Sequence, residues 1–319
     1  MTNDILVYVE HLNGEVTETS FELLALARRL ASTTGGSVDA AIIGSGVDTL
    51  SADLAGADRI LVGETDAFGA FNPQGHAAAF ASRVADRRPK VTLVPYTSVG
   101  MDVASATSAG CDLPLVSYCL DVDAQNGLSA TCQLYGGKIE ADVAIEGDQA
   151  IFASLAGCAP ADEGRSGGVG AVEPIEVSVP DLAISFLALN QPEAGDVDIA
   201  SEEILVAVGR GIESEDNIDE AQELADALGG ALAASRPIID QGWLPKSRQV
   251  GKSGLSVKPK VYLALGISGA PEHLEGMRDS TTIIAVNSDP QAPIFGVAHF
   301  GWVGDLFDLI PEMTDRLDG

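Results

Sequence analysis

Ile204-Leu205-Val206-Ala207-Val208-Gly209-Arg210-Gly211 is an apolar run rich in β-branched residues that stops at a glycine turn. A strand covered on both faces reads this way, without polar alternation. A helical pattern follows from about Asp216 to Leu228. The order then repeats: strand Val261 to Leu265, turn Gly266-Ile267-Ser268-Gly269, a short helix, and strand Thr282 to Asn287. Strand, glycine turn and helix in succession specify a doubly wound α/β domain, in which ligands bind at the carboxyl ends of strands.

Working toward the N-terminus, Pro192-Glu193-Ala194-Gly195-Asp196 marks a linker. The chain therefore divides into an N-terminal α/β domain at 1–190, a linker at 191–200 and a C-terminal domain at 201–319. In the first domain Ile5–Val9, Val38–Ile43, Arg59–Val62 and Val91–Tyr96 read as strands, and Gly75–Ala85 as one of the intervening helices. Thr19-Ser20-Phe21-Glu22 has the form of a capping box before a helix. Beyond Leu113, the segments Leu128–Tyr135, Ile139–Ala144 and Ala150–Ala156 are separated by turn signals such as Asn126-Gly127. They are expected to be antiparallel strands added to the edge of the first sheet. Glu163–Ala171 reads as a loop.

With 47 acidic and 18 basic residues the net charge is −29. Such self-repulsion is tolerated where salt is high, because the Debye length falls to about 3 Å at 1 M. A halophile's cytoplasm is the expected setting, since no signal-peptide pattern or bilayer-length apolar run is seen. Nucleic-acid binding is disfavoured for want of a net positive field. Cys111, Cys119, Cys132 and Cys158 have no metal-site spacing, so reduced structural thiols are expected and no metal. Against the acidic background, Ala231–Gly269 holds six cations and one acid, Asp240, a local +5. An anionic ligand is expected there.

The motifs narrow the chemistry. Gly209-Arg210-Gly211 is read as a turn bringing backbone amides to a phosphate. Gly251-Lys252-Ser253 is not a P-loop, because that pattern needs glycine where Lys246 stands. Gly266-Ile267-Ser268-Gly269 misses the G-x-S-x-G nucleophile elbow, and no acid partners His273, so hydrolase chemistry is set aside. It reads better as a turn presenting amides and the Ser268 hydroxyl. His11, His76 and His299 have no functional neighbours in sequence.

From Val206 onward the chain resembles the alpha subunits of electron-transfer flavoproteins (the FixB-like family). The stretches that carry the likeness are Val208–Gly211, Ala234–Arg236, Gln249–Gly254, Leu263–Ala270, Ile283–Pro290, Ala292–Phe295 and Gly304–Phe307. Their order and spacing agree over more than a hundred residues, and the N-terminal half fits more loosely. The resemblance implies two doubly wound α/β domains, the first with added antiparallel strands and the second a deoxyhypusine-synthase-like NAD/FAD-binding fold. It implies FAD as cofactor: Arg210, Ser235, Ser268 and Gly269 around the pyrophosphate and neighbouring groups, Gly266 and Ile267 also in the cofactor site, and Asn287, Asp289, Asp305 and Leu306 at the adenosine half. Gln249, Val250, Gly251, Lys252, Ser253 and Gly254 would line the flavin. Arg236, Ser253 and His273 would tune it, with Arg236 over the ring, Ser253 near N5 or O4 and His273 near O2.

The resemblance further implies an electron carrier without substrate turnover of its own. It would pair with a beta subunit, accept electrons from acyl-CoA or other flavin dehydrogenases in fatty acid oxidation, and deliver them to a membrane quinone oxidoreductase through an anionic semiquinone. A unit charge about 4 Å away is worth roughly 4 kcal/mol at an effective dielectric of ~20, and about 1.4 kcal/mol moves a one-electron potential by about 59 mV. Lys252-Ser253 stands where the family commonly has Gln-Thr, and Glu272 where it commonly has Gln. Those two new charges are expected to offset each other partly. Two alternatives stay open: an electron-bifurcating, NADH-linked relative, and a non-redox nucleotide-binding regulatory module.

Overall fold

The computed structural model describes residues 2–135, 137–188 and 197–317. Most of the linker at 191–200 lies outside the described residues, as does Gly136. The chain divides into two compact units, Met1–Ala188 and Leu189–Gly319.

The first unit runs through strand β1 (Ile5–Val9), a hairpin of β2 (His11–Leu12) and β3 (Glu15–Val16), helix α1 (Glu18–Thr34), β4 (Val38–Gly44) and β5 (Arg59–Glu64). It continues with α2 (Pro73–Arg87), β6 (Val91–Pro95), α3 (Ser98–Cys111), β7 (Leu115–Asp123), β8 (Leu128–Leu134), β9 (Ile139–Ile145), β10 (Ala150–Ser154), α4 (Ala161–Arg165) and β11 (Ala171–Pro174). Nine strands form one sheet in the order β11-β5-β4-β1-β6-β10-β7-β8-β9. Strands β1, β4, β6 and β10 are buried at every residue, as both-face coverage by helices requires.

Three expectations for this unit are corrected. Strand β10 is not an antiparallel edge strand: it inserts between β6 and β7 and is parallel to both, so that in this sheet only the β7–β8 and β8–β9 pairings are antiparallel. Thr19 to Glu22 is not a capping box. Thr17 is the residue before α1, and Glu22 instead accepts the Gly157 backbone N–H at 2.7 Å. The segment from Glu163 is not all loop, since α4 occupies its start.

The second unit comprises β12 (Ile204–Val208), α5 (Ile218–Ala227), β13 (Ala231–Ala234), α6 (Arg236–Asp240), β14 (Val261–Leu265), α7 (Pro271–Leu274), β15 (Thr282–Asn287), β16 (Phe300–Val303) and α8 (Leu306–Leu317). The sheet is parallel throughout, in the order β13-β12-β14-β15-β16. Alternate residues of each strand face opposite cores. Leu205, Ala207, Tyr262 and Ala264 join one; Val206, Val208, Leu263 and Leu265 join the other with Leu224 and Ile310. The first strand thus lies between the second and third, so the order reverses between β12 and β14. That switch point is where an open α/β sheet leaves a crevice. No helix among the described residues is long and apolar enough to cross a membrane.

Candidate functional site

A cleft of about 830 Å³ opens at the carboxyl ends of β12, β13, β14 and β15. Of the residues proposed from sequence, Arg210, Ser235, Arg236, Gln249, Val250, Gly251, Lys252, Ser253, Gly266, Ile267, Ser268, His273, Asn287 and Asp289 line it. Gly211 of the glycine turn and Glu272 line it too, and so do Pro237, Asp240 and Ala270, to which sequence reasoning gave no role in the site. Gly254, Gly269, Asp305 and Leu306 do not. Gly254 donates to the Gly251 carbonyl at 2.9 Å, and Gly269 is buried against Ile294. The Asp305 carboxylate accepts the Phe307 N–H at 3.0 Å at the start of α8, while Leu306 is in the core.

The floor of the cleft is built from two turns in close contact. Gly209 N–H donates to Leu265 O at 2.9 Å, and Gly211 N–H donates to Gly266 O at 3.1 Å. A Cβ on Gly211 would lie 2.6 Å from the Gly266 Cα. Glycine is required at 209 and 211 for this packing, and the two amides are already spent. The expectation that they reach a phosphate is therefore corrected. By contrast, the backbone N–H groups of Ser268 and Gly269 donate to no other described residue.

One wall follows β13. Val250 N–H donates to Ala234 O at 2.9 Å, which pins the Gln249–Gly254 segment beside that strand. Gly251 sits at φ 132°, and its Cβ position would be 2.9 Å from the Glu272 carbonyl, so a side chain is excluded twice over. The buried Gln249 donates from Nε2 to Ser253 Oγ at 2.9 Å. The serine oxygen is then the acceptor, and its own proton is left to donate elsewhere. This bond restrains the hydroxyl where the sequence has lost the restraint of a threonine methyl.

Packed against that segment, His273 is 6% exposed, and its Nε2 lies 2.9 Å from the Tyr262 hydroxyl. Nδ1 is buried and makes no hydrogen bond of good geometry among the described residues, although the Val250 backbone lies beside the ring. Burial pulls the ring's pKa down to about 4, so His273 is neutral near pH 7. It offers a donor or acceptor there, not a cation. Asn287 organises the end of β15: Nδ2 donates to Ile267 O and Oδ1 accepts from Asp289 N, both at 2.9 Å.

The expectation of a strongly cationic site is corrected. Arg210, Arg236 and Lys252 face the cleft, but so do Asp240, Glu272 and Asp289. Three cations against three carboxylates sum to zero, which is still a marked exception in a chain of −29. Arg236 pairs with Asp240 at 3.3 Å, Lys252 lies 3.8 Å from Glu275, and Lys260 meets Glu203 at 2.6 Å. Glu275 is one negative partner of the Lys252 ammonium, and the Glu272 backbone carbonyl accepts the Lys252 N–H at 2.7 Å.

Comparison with known proteins places two domain families on the chain: an electron transfer flavoprotein domain at residues 5–181 and an electron transfer flavoprotein FAD-binding domain at 198–278. The electron transfer flavoprotein subunit alpha of Thermoanaerobacterium thermosaccharolyticum is 34% identical over 98% of this chain and 97% of its own length. That of Bacillus subtilis is 33% identical over 99% and 98%. Subunit LctC of a lactate dehydrogenase (NAD(+),ferredoxin) from Acetobacterium woodii is 34% identical over 99% of this chain and 77% of its own.

Proposed function

The chain belongs to the electron transfer flavoprotein alpha-subunit family, and from that premise we propose that its second unit holds FAD in the β12–β14 cleft and serves as an electron carrier. The observation that carries the reading is the cleft at the sheet's switch point, where Arg210, the exposed Ser268 and the Ser253 hydroxyl held by Gln249 converge. These donors suit the same cofactor. A pyrophosphate is served by the Ser268 amide and hydroxyl with Arg210, and a heteroaromatic edge rich in acceptors by Ser253.

When bound, FAD supplies the one-electron chemistry, and the protein's part is binding, orientation and electrostatics. Gln249 aims the Ser253 proton at the cofactor. His273, being neutral, contributes a dipole. Arg236 contributes positive charge weakened by Asp240, because an exposed pair is worth only about 0–1 kcal/mol. Gly211 and Gly266 keep the floor thin enough for a pyrophosphate to sit close to the sheet. Asn287 and Asp289 mark the adenosine side, with Asp305 and Leu306 farther along it.

In this reading the chain pairs with a beta subunit, takes electrons from flavin dehydrogenases such as acyl-CoA dehydrogenases, and passes them to a quinone oxidoreductase at the membrane. The acidic surface suits the cytoplasm of a salt-loving cell. A second reading, an NADH-linked bifurcating complex, is favoured by the equal likeness to the Acetobacterium subunit. The test is to purify the chain with its beta partner, record the visible spectrum, and identify released flavin by mass. A yellow heterodimer with one FAD in this chain supports the proposal. A colourless heterodimer that takes up no added FAD overturns it. Rapid reduction by NADH alone would select the second reading.

A further inference from the structure

Cys119 on β7 and Cys132 on β8 stand directly opposite each other across an antiparallel pairing. Both side chains face the same core, with Val116, Val122, Leu128 and Ala130, at 0% and 2% exposure. Opposed residues of an antiparallel ladder have Cα atoms about 4.5–5.5 Å apart, inside the roughly 4.4–6.8 Å that a disulfide spans. In the structure each thiol donates to a carbonyl of its own strand, Cys119 to Val116 O at 3.4 Å and Cys132 to Ala130 O at 4.0 Å. The two sulfurs are nevertheless close enough to perturb each other's ionisation. Burial holds both thiols protonated near pH 7, but the Cys119 side chain acts on Cys132 in the opposite sense, which makes Cys132 the readier thiolate.

Two features let this pair move. The ladder slips by one residue just beyond it, between Cys119 and Asp121, and such a bulge loosens the local pairing. Strands β8 and β9 are moreover the last two of the sheet, and β9 has no fully buried residue. An edge hairpin of this kind opens at lower cost than the buried strands β1, β4 and β6.

We propose that Cys119 and Cys132 are a reversible redox-modification site, oxidised by a small organic disulfide to a cross-strand bridge that staples the β8–β9 hairpin to β7. The Cys132 thiolate attacks one sulfur of the reagent, and one reagent thiol leaves with the proton. The Cys119 thiolate then attacks the Cys132 sulfur of that mixed disulfide and expels the second thiol. The protein loses two electrons and two protons, and the reagent gains both as its two thiols. Ordinary cross-strand Cβ spacing is about 4.5–5.5 Å, against about 3.5–4.5 Å in a bridge. The bond therefore forms under strain, and excess thiol reverses it. The site belongs to the first unit and does not depend on the cleft in the second.

The test incubates the heterodimer with hydroxyethyl disulfide, a neutral reagent that a chain of −29 does not repel. Free thiols are then blocked with N-ethylmaleimide, and digestion before aspartate separates Cys119, in 112–120, from Cys132, in 123–141. The two peptides should be recovered linked from the native protein, and separate again after treatment with 2-mercaptoethanol. Amide exchange in β8 and β9 should slow at least about tenfold on oxidation of the wild type, and not in Cys132→Ala. Cys158 packs against the same core and also perturbs Cys119, so it is the competing partner; Cys158→Ser should leave the link intact. A Cys119–Cys158 link overturns the proposal, as do mixed disulfides that never close and thiols that stay free in the folded heterodimer. Unchanged exchange in the linked form overturns it too. Should Cys132→Ala fail to fold, the wild-type peptides and exchange decide alone.

Discussion

Lowering the pH from 7 to 5 should weaken the second unit through a single side chain. His273 has an ordinary pKa of 6.5 when unfolded and about 4 when folded, with burial as the chief cause. Between those values the unfolded chain binds more protons, so stability falls as the pH drops. At about 1.36 kcal/mol per pKa unit, the whole shift amounts to roughly 3 kcal/mol, of which about 2 kcal/mol is lost between pH 7 and pH 5. Both tryptophans, Trp243 and Trp302, lie in this unit, so denaturant unfolding followed by tryptophan fluorescence reports it selectively. The flavin-free chain should lose about 2 kcal/mol more than a His273→Gln variant over that interval. His76, in the other unit, has its pKa lowered to about 4 by the same cause. Replacing it should leave the fluorescence-detected acid limb unchanged. Parallel pH dependences for wild type and His273→Gln would refute the reasoning.

Gly211→Ala places a methyl 2.6 Å from the Gly266 Cα, a backbone atom that no rotamer change can avoid. The expected cost is about 1–3 kcal/mol, with weaker FAD retention; calorimetry showing an unaltered Tm would contradict the packing argument. A chain of −29 should gain thermal stability as KCl rises from 0.1 M to 2 M, because screening relieves self-repulsion. A Tm that is flat or falling over that range would count against the salt-adapted reading. Burial raises the pKa of all four thiols, that of Cys158 to about 12. Native protein at pH 8 should thus react with Ellman's reagent far more slowly than unfolded protein; four fast thiols would contradict it.

Strands with continuous apolar runs were legible because burial on both faces leaves a local mark, and Ile204–Val208 and Val261–Leu265 fall where their residues predict. Ala231–Ala234 left no such mark. Four short residues dominated by alanine favour helix intrinsically, and they become β13 only by pairing with β12. Ala150–Ser154 shows a related limit, since its strand character was local while its place between β6 and β7 is set by distant partners. The Asp305 carboxylate caps α8, a role visible only once that helix was known.

Charge was the least transferable reading. The +5 window assumed that neighbours in sequence are neighbours in space, yet Lys260 and Lys252 meet Glu203 and Glu275 from outside it, and Arg236 is neutralised by the window's one acid. Glycine was half legible. The positions of the turns followed from the pattern, but the tight fit of Gly211 on Gly266, which consumes the amides expected to bind phosphate, depends on two strand ends meeting at the switch point. The site that results is polar by arrangement more than by net charge. Its specificity then depends on which polar side chains are held in place, Ser253 by Gln249 and His273 by Tyr262.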